Sequence, residues 1–222
     1  MFNYFKKQKF QDIPLIDLDD LKKNTKIVVI DDVEDSFPIK GIQNFGFTVE
    51  HWDIIDSNKL KRLEHNEFDI VILDILGIVD TNELGNIDGI DILKSLKKSN
   101  PNQIIIAFSG SKYDVSKGEF WKLADGFMNK PIQLLNTKEK LEQIIKDNFS
   151  NEKLILRLQD LMKLQVENQS DYKKIEDYIV KTVKKQGTLD LTKIVRLGIT
   201  DTSGVLTIVT SLITLYNKYS ND

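Results

Sequence analysis

The stretch Phe68-Asp69-Ile70-Val71-Ile72-Leu73-Asp74 decides the fold of this protein. Its four consecutive aliphatic residues leave no polar face, which is typical of a strand that is covered on both sides in a parallel sheet. Asp74 follows at the point where the strand would leave the sheet. Ligands of open α/β sheets bind just outside the carboxyl ends of the strands, so Asp74 is the first candidate site residue.

Four further segments of the chain are of strand type and are separated by segments of helical type. The predicted strands besides 68–73 are residues 26–30, 47–52, 104–108 and 126–128. The predicted helices are residues 35–45, 54–64, 87–98, 119–124 and 137–149. Five strands that alternate with helices predict an α/β fold with a doubly wound parallel sheet and right-handed crossovers.

The two ends of the chain do not share this alternation. Residues 149–222 carry apolar stripes at helical spacing and predict a small all-α domain, in which Ser203 caps a last helix that runs to about Tyr219. Residues 1–25 form a leader arm that is either loosely packed or used for docking. The predicted domains are therefore a leader arm over 1–25, an α/β domain over 26–148 and a helical domain over 149–222.

Composition excludes several classes of protein. The chain has 222 residues, of which 41% are hydrophobic and 29% charged, with a net charge of −3, as in ordinary soluble proteins. It has no cysteine, which rules out disulfides, thiol catalysis and cysteine zinc sites. With only two histidines, His51 and His65, a histidine-rich metal site is not expected. The apolar tract 205–215 is too short to span a bilayer, so we expect a cytoplasmic protein.

Polar residues follow four of the predicted strands. Asp31 and Asp32 follow the first strand, Asp74 the third, Ser109 the fourth and Lys130 the fifth. Neighbouring carboxylates repel one another unless a cation lies among them, and oxygen ligands select Mg²⁺ or Mn²⁺. A hydroxyl and an ammonium group beside that cation suit a phosphoryl group, for which a carboxylate is a known nucleophile.

The order Asp31-Asp32, Asp74, Ser109 and Lys130-Pro131 resembles the receiver domain of two-component response regulators. The motif Asp88-Gly89 and the run 124–131 agree with this resemblance, which covers residues 26–148. The resemblance implies a flavodoxin-like sheet with the strand order 2-1-3-4-5.

The resemblance also implies roles for the acids. Asp74 would accept a phosphoryl group from a histidine kinase or a phosphotransfer protein. Asp31, Asp32, Asp74 and the backbone carbonyl of Leu76 would bind Mg²⁺ (or Mn²⁺), with Asp32 as the direct ligand of the Asp31-Asp32 pair. A phosphatase of the haloacid dehalogenase type is disfavoured, because neither acid stretch has the Asp-x-Asp spacing.

Three further residues receive roles from the resemblance. Ser109 would be the switch hydroxyl and Lys130 the phosphate-binding lysine. Phe127 would be the aromatic that rotates into the space left when Ser109 moves toward the phosphoryl group. The peptide bond between Lys130 and Pro131 is expected to be cis.

The loop of residues 77–87 departs from the family pattern. The family reaches its Asp-Gly motif through a short loop with proline, whereas this loop is long, lacks proline and carries Asp80 and Glu83. The roles left open for it are covering Asp74, slowing phosphoryl exchange and selecting the kinase.

The sequence leaves two hypotheses for the helical domain. In the first, phosphorylation controls docking of a downstream protein or of a second copy, as in a homodimer. The alternative is a DNA-binding transcriptional regulator, which is less favoured because the last helix presents Thr207, Thr210, Ser211 and Thr214 where base-reading side chains would be needed. Residues 151–222 have no His, no Cys and no glycine-rich phosphate loop, so we do not expect an enzyme.

Overall fold

The computed structural model describes residues 7–33, 35–100, 103–110 and 122–219. Contacts between Cα atoms divide the chain into two compact units. Residues 22–144 form one, which we call the α/β unit, and residues up to 21 join residues 145–222 in the other, which we call the helical unit. The predicted boundaries lay nearby, at 25/26 and 148/149, but gave the leader a unit of its own.

The α/β unit contains one parallel sheet of five strands. They are β1 (Lys26–Ile30), β2 (Thr48–Trp52), β3 (Ile70–Leu73), β4 (Ile104–Ser109) and β5 (Gly126–Asn129). Their order is β2-β1-β3-β4-β5, and every neighbouring pair is parallel. All four residues of β3 are buried, as the unbroken apolar run predicted. The predicted fold class and strand order are confirmed.

Helices of the described residues follow the strands and continue to the end of the chain. Those that begin before residue 150 are α1 (Leu18–Asn24), α2 (Ile39–Asn44), α3 (Ser57–Glu64), α4 (Thr81–Leu84), α5 (Gly89–Ser99) and α6 (Leu134–Phe149). The sequence did not predict α4, which lies inside the long loop. The predicted helix 119–124 lies largely outside the described residues.

Helix α2 is shorter than the predicted helix 35–45. It begins only at Ile39, after Pro38. Proline disfavours the helical conformation at the residue before it, so the helix cannot extend back through Phe37. Asp35 has a φ of +66°, which is outside the right-handed helical region. Residues 35–38 are therefore not helical, and the hydroxyl of Ser36 donates to the carboxylate of Asp31.

The helical unit is formed mainly by the last four helices. They are α7 (Asn151–Gln165), α8 (Gln169–Lys184), α9 (Leu191–Val195) and α10 (Thr202–Tyr219). Each helix buries one apolar stripe in a shared core, as the helical spacing predicted. The cap of α10 was predicted wrongly: the Asp201 carboxylate, not Ser203, accepts the backbone N–H of Gly204 at 2.9 Å.

The described part of the leader packs into this helical core. Phe10 and Ile13 are 0% and 2% exposed and lie in the same hydrophobic cluster as α7 and α8. The backbone N–H of Phe10 donates to Glu176 at 3.0 Å, and that of Gln8 donates to Asp177 at 2.7 Å. Leader residues 7–21 are thus an integral part of the helical unit, whereas residues 22–25 belong to the α/β unit, and neither alternative of a loose or docking arm describes residues 7–21.

Within residues 7–33, 35–100, 103–110 and 122–219, no helix combines the length and the apolar character that a bilayer span requires.

Candidate functional site

The register of the sheet brings the predicted acids to one edge. Ile30 of β1 is paired with Leu73 of β3, so the next residues, Asp31 and Asp74, leave the sheet side by side. The backbone N–H of Asp74 donates to the carbonyl of Ile30 at 3.0 Å, which continues the strand pairing into the site. Adjacent parallel strands therefore deliver two carboxylates to the same place.

Three carboxylates form a compact group at this edge. Each of Asp31, Asp32 and Asp74 offers an oxygen atom, and the three atoms lie within 4.8 Å of one another. The acids differ in burial: Asp31 is 0% exposed, Asp74 is half-buried and Asp32 is exposed. The group can be reached from solvent on the Asp32 side and is anchored in the protein on the Asp31 side.

Lys130 connects the two deeper acids. Its Nζ lies 2.7 Å from Oδ1 of Asp31 and 2.6 Å from Oδ2 of Asp74. Burial lowers the pKa of Lys130, but hydrogen bonds and charge attraction from the two carboxylates outweigh it and raise the pKa above its usual value. The ammonium therefore stays charged at neutral pH and offsets part of the repulsion among the acids.

Backbone and hydroxyl donors hold the acids in place. Oδ1 of Asp31 accepts the backbone N–H of Val33 at 3.0 Å, and Ser36 donates its hydroxyl to Oδ2 of Asp31. Oδ1 of Asp74 accepts the backbone N–H of Ile75 at 2.7 Å. Buried carboxylates need such partners, because an unpaired buried charge is costly. The sequence reasoning missed Ser36, since residues 35–45 read as one helix.

His51 supports the site from the neighbouring strand. Its Nε2 lies 3.0 Å from the carbonyl oxygen of Asp31, to which it can donate. The pairing of Val29 with His51 in the sheet places the imidazole there. Sequence analysis gave His51 no role in the site, because this contact depends on the register of β1 and β2.

Ser109 ends β4 and is 5% exposed. It is paired with Asn129 across the sheet, and its carbonyl accepts the backbone N–H of Lys130 at 3.1 Å. The Lys130–Pro131 bond is cis, as expected from the resemblance. Ser109 and Lys130 therefore occupy adjoining strand ends beside the acids.

Phe127 points away from the core. It is 50% exposed, and Nζ of Lys140 lies 5.0 Å from the centre of its ring, in a cation–π arrangement. Lys140 also donates to the carbonyl of Phe127. Phe127 therefore lies at the surface, in contact with Lys140.

The three-acid group suits a divalent cation that prefers oxygen ligands. The donors that converge are carboxylates, with no histidine nitrogen or thiolate among the described residues of the group. The sequence also predicted a ligand at the backbone carbonyl of Leu76, whose side chain is 59% exposed. The next residue, Gly77, lies directly against Asp32.

Comparison with known proteins gives matches among solved structures. No protein-family model matches the chain, and no curated protein matches it. The chemotaxis protein CheY4 of Vibrio cholerae is 18% identical with a TM-score of 0.43, and the match covers 54% of this chain and 98% of that chain. A CheY-like response regulator receiver domain protein of Methanospirillum hungatei is 20% identical with a TM-score of 0.45, covering 56% and 95%.

A third match is a two-component response regulator of Clostridium difficile. It is 19% identical with a TM-score of 0.44, and the match covers 55% of this chain and 96% of that chain. At this identity the likeness concerns the fold of the N-terminal part.

The α/β unit itself has five parallel strands in the order 2-1-3-4-5, and three acids are grouped at the ends of its strands. By its oxygen donors, the acidic group fits a metal site.

Proposed function

We propose that the protein is a two-component response regulator that accepts a phosphoryl group on Asp74 with the help of Mg²⁺ or Mn²⁺. The observation that carries this proposal is the three-acid group, with oxygen atoms within 4.8 Å of one another and Lys130 in contact with Asp31 and Asp74. Strand-end acids beside a lysine are suited to binding and transferring an anionic group. The role is that of a regulator and not of an enzyme with its own metabolic substrate.

The transfer would proceed by attack of the Asp74 carboxylate on the phosphorus of a phosphohistidine. A P–O bond forms while the P–N bond breaks, and the leaving imidazole takes up a proton. A divalent cation, when bound, supplies positive charge to the oxygens of the transferred group. Lys130 is placed to share that charge, and Ser109 at the end of β4 is suited to donate a hydrogen bond to a phosphoryl oxygen.

The phosphoryl donor would be a histidine kinase or a phosphotransfer protein. Ser109 and Phe127 would couple the modification to the surface. Ser109 would move toward the phosphoryl group, and Phe127 would turn from its half-exposed position into the space that Ser109 leaves. Phosphorylation acts only as far as it favours this second arrangement over the first.

The output would be a protein–protein interaction or self-association through residues 149–222. The outer face of α10 supports this over DNA binding, because Leu206, Thr207, Thr210 and Thr214 are exposed there and none is charged.

The lysines of α8 could contact the phosphates of DNA, but three of them already interact with other side chains of the protein. Lys174 pairs with Asp171 and Lys181 with Asp177, each at 2.7 Å. Lys184 donates to the side chain of Gln8 at 2.6 Å.

The phosphoacceptor is tested with a small phosphodonor such as acetyl phosphate and Mg²⁺. Intact-mass measurement should show one added phosphoryl group that is labile in acid and in base, and Asp74→Asn should abolish it. The matched control is Asp69→Asn, at the opposite end of the same stretch, where Asp69 accepts the backbone N–H of Lys26 at 2.8 Å. Labelling that persists in Asp74→Asn would refute the assignment.

The output is tested by light scattering with and without beryllofluoride. A change in mass on activation, without duplex binding, supports the interaction hypothesis. Salt-dependent binding to duplex DNA would instead support the transcriptional regulator.

A further inference from the structure

The first half of the loop of residues 77–87 packs and hydrogen-bonds against the rest of the α/β unit. Ile78 is 0% exposed and belongs to the hydrophobic core of that unit. The backbone N–H of Ile55 donates to the carbonyl of Ile78 at 2.6 Å, and the backbone N–H of Asp80 donates to the carbonyl of Ile55 at 2.9 Å. Ile55 and Val79 thus form a short parallel bridge beyond the end of β2. This half of the loop is part of the fold and not a free lid.

The second half of the loop has its own attachment. Helix α4 begins after Asp80, whose carboxylate accepts the backbone N–H of Asn82 at 2.9 Å. Within α4, Oε2 of Glu83 accepts the backbone N–H of Ser57 at 2.9 Å. The loop is therefore held at two points, by Ile55 in the segment that joins β2 to α3 and by Ser57 at the start of α3.

Gly77 stands between Asp74 and the first attachment. Its φ is +76°, a conformation that side-chain-bearing residues rarely adopt. A Cβ atom at this position would lie 2.1 Å from Oδ2 and 2.7 Å from Cγ of Asp32, well inside the van der Waals contact distance. Because the next residue, Ile78, is held by Ile55, an added side chain at position 77 is accommodated most easily by displacement of the exposed Asp32 carboxylate.

We propose that Gly77 is a positioning residue, which lets the anchored loop run close to Asp32 and keeps that carboxylate in the three-acid group. The inference rests on the proposed metal-assisted function and deepens it. Asp32 is the exposed acid of the group, with the end of its side chain nearest the loop. The loop that departs from the receiver pattern thereby sets the geometry of the cation site.

The variant that tests this is Gly77→Ala, with Gly85→Ala as the matched control. Gly85 lies in the same loop and has a φ of +78°, but a Cβ there would meet no atom within 4 Å. Both variants place a side chain at a positive φ and so introduce backbone strain, but only Gly77→Ala also crowds Asp32. The measurement is Mg²⁺ and Mn²⁺ binding by titration calorimetry on the full chain, with thermal unfolding in EDTA recorded beside it.

We expect Gly77→Ala to weaken cation binding by about tenfold to a hundredfold, as loss of a ligand's supporting contact commonly does, and Gly85→Ala to leave it unchanged. Labelling by acetyl phosphate should fall at limiting Mg²⁺ and recover at saturating Mg²⁺, because the maximal rate does not depend on how tightly the cation binds. A purely structural role would lower the unfolding temperature of Gly77→Ala and leave its cation affinity unchanged.

A double variant keeps the test decisive if Gly77→Ala unfolds. Asp32→Ala removes the carboxylate that an alanine at position 77 would strike, so Gly77→Ala should destabilise the Asp32→Ala protein less than it destabilises the wild type. If the double variant also fails to fold, Gly77 does not act through Asp32 and the inference is overturned. Equal cation affinities of Gly77→Ala and Gly85→Ala overturn it too. A wild-type protein that binds neither cation would instead overturn the proposed metal site itself.

Discussion

The α/β unit buries charged side chains, whereas the described part of the helical unit buries only neutral polar ones. In the α/β unit, Asp31 is fully buried beside Lys130, at a sheet edge that opens to solvent through Asp32. In the described part of the helical unit, the buried polar residues are Asn151 and Thr182. Both bond to nearby backbone: Asn151 donates to the carbonyl of Pro14 at 2.8 Å, and Thr182 donates one turn back along α8.

This difference in the charge of buried polar groups indicates which of the two units could bind a ligand or react. Charged groups that converge on an accessible edge can still bind a cation or an anionic substrate. Polar groups whose hydrogen bonds are all made within the protein stabilise the fold instead. The exposed hydroxyls of α10 belong to the second kind, because Thr207, Ser211 and Thr214 each donate to the backbone carbonyl four residues earlier. The helical unit is therefore suited to contact, and the α/β unit to reaction.

The largest expected effect is on the reaction rate at the charged site of the α/β unit. Lys130→Met keeps the aliphatic stem but removes the ammonium that contacts Asp31 and Asp74. We expect the rate of phosphoryl acceptance from acetyl phosphate to fall about 10²- to 10³-fold, as for loss of one preorganised donor to a developing charge. Lys140→Met is the control, since Lys140 lies on the Phe127 ring away from the acids. Equal rates in the two variants would remove Lys130 from the mechanism.

A smaller effect, on the free energy of unfolding, tests the apolar core of the helical unit. Phe10 is fully buried in the helical core, so Phe10→Ala should lower the free energy of unfolding by about 3–5 kcal/mol. Phe127→Ala removes the same ring from a half-exposed position and should cost about 1 kcal/mol or less. Urea unfolding followed by circular dichroism measures both. If Phe10→Ala behaves like Phe127→Ala, the leader is not part of the helical core.

The smallest effect concerns the leader's polar attachment. Burial raises the pKa of Asp177, but the Lys181 ammonium and the backbone N–H of Gln8 outweigh it and hold the pKa below its usual value. The stabilisation that this carboxylate gives is thus full above the pKa of an unfolded aspartate, about 3.9, and is lost as pH falls through the lowered folded pKa.

Asp177→Asn should therefore be less stable than the wild type near pH 6, and the two should converge as the pH is lowered toward about 2. Urea unfolding at a series of pH values measures this. A difference that stays constant across the series would show that the charge of Asp177 is not what holds the leader.

Periodicity and residue type predicted much of the α/β unit. The apolar run Ile70–Leu73 predicted a buried central strand. The acids directly after β1 and β3 were expected to lie side by side, because neighbouring parallel strands end at the same edge of the sheet. Local chemistry also misled: residues 35–45 read as one helix, although Pro38 delays its start to Ile39. The shape of the loop 77–87 could not be predicted, since its attachment to Ile55 joins segments whose sequences carry no shared pattern.

The sequence by itself determined the α/β class and which acids, hydroxyl and lysine stand at the strand ends. These follow from local patterns, in which side chains alternate, repeat or stop at a fixed spacing, whereas the strand order was implied only by the resemblance to receiver domains. Only the tertiary structure decided that Phe10 completes the helical core, that Ser36 and His51 support Asp31, and that Gly77 lies against Asp32. Such contacts depend on how distant segments pack, and packing is set by the whole fold and not by any local pattern.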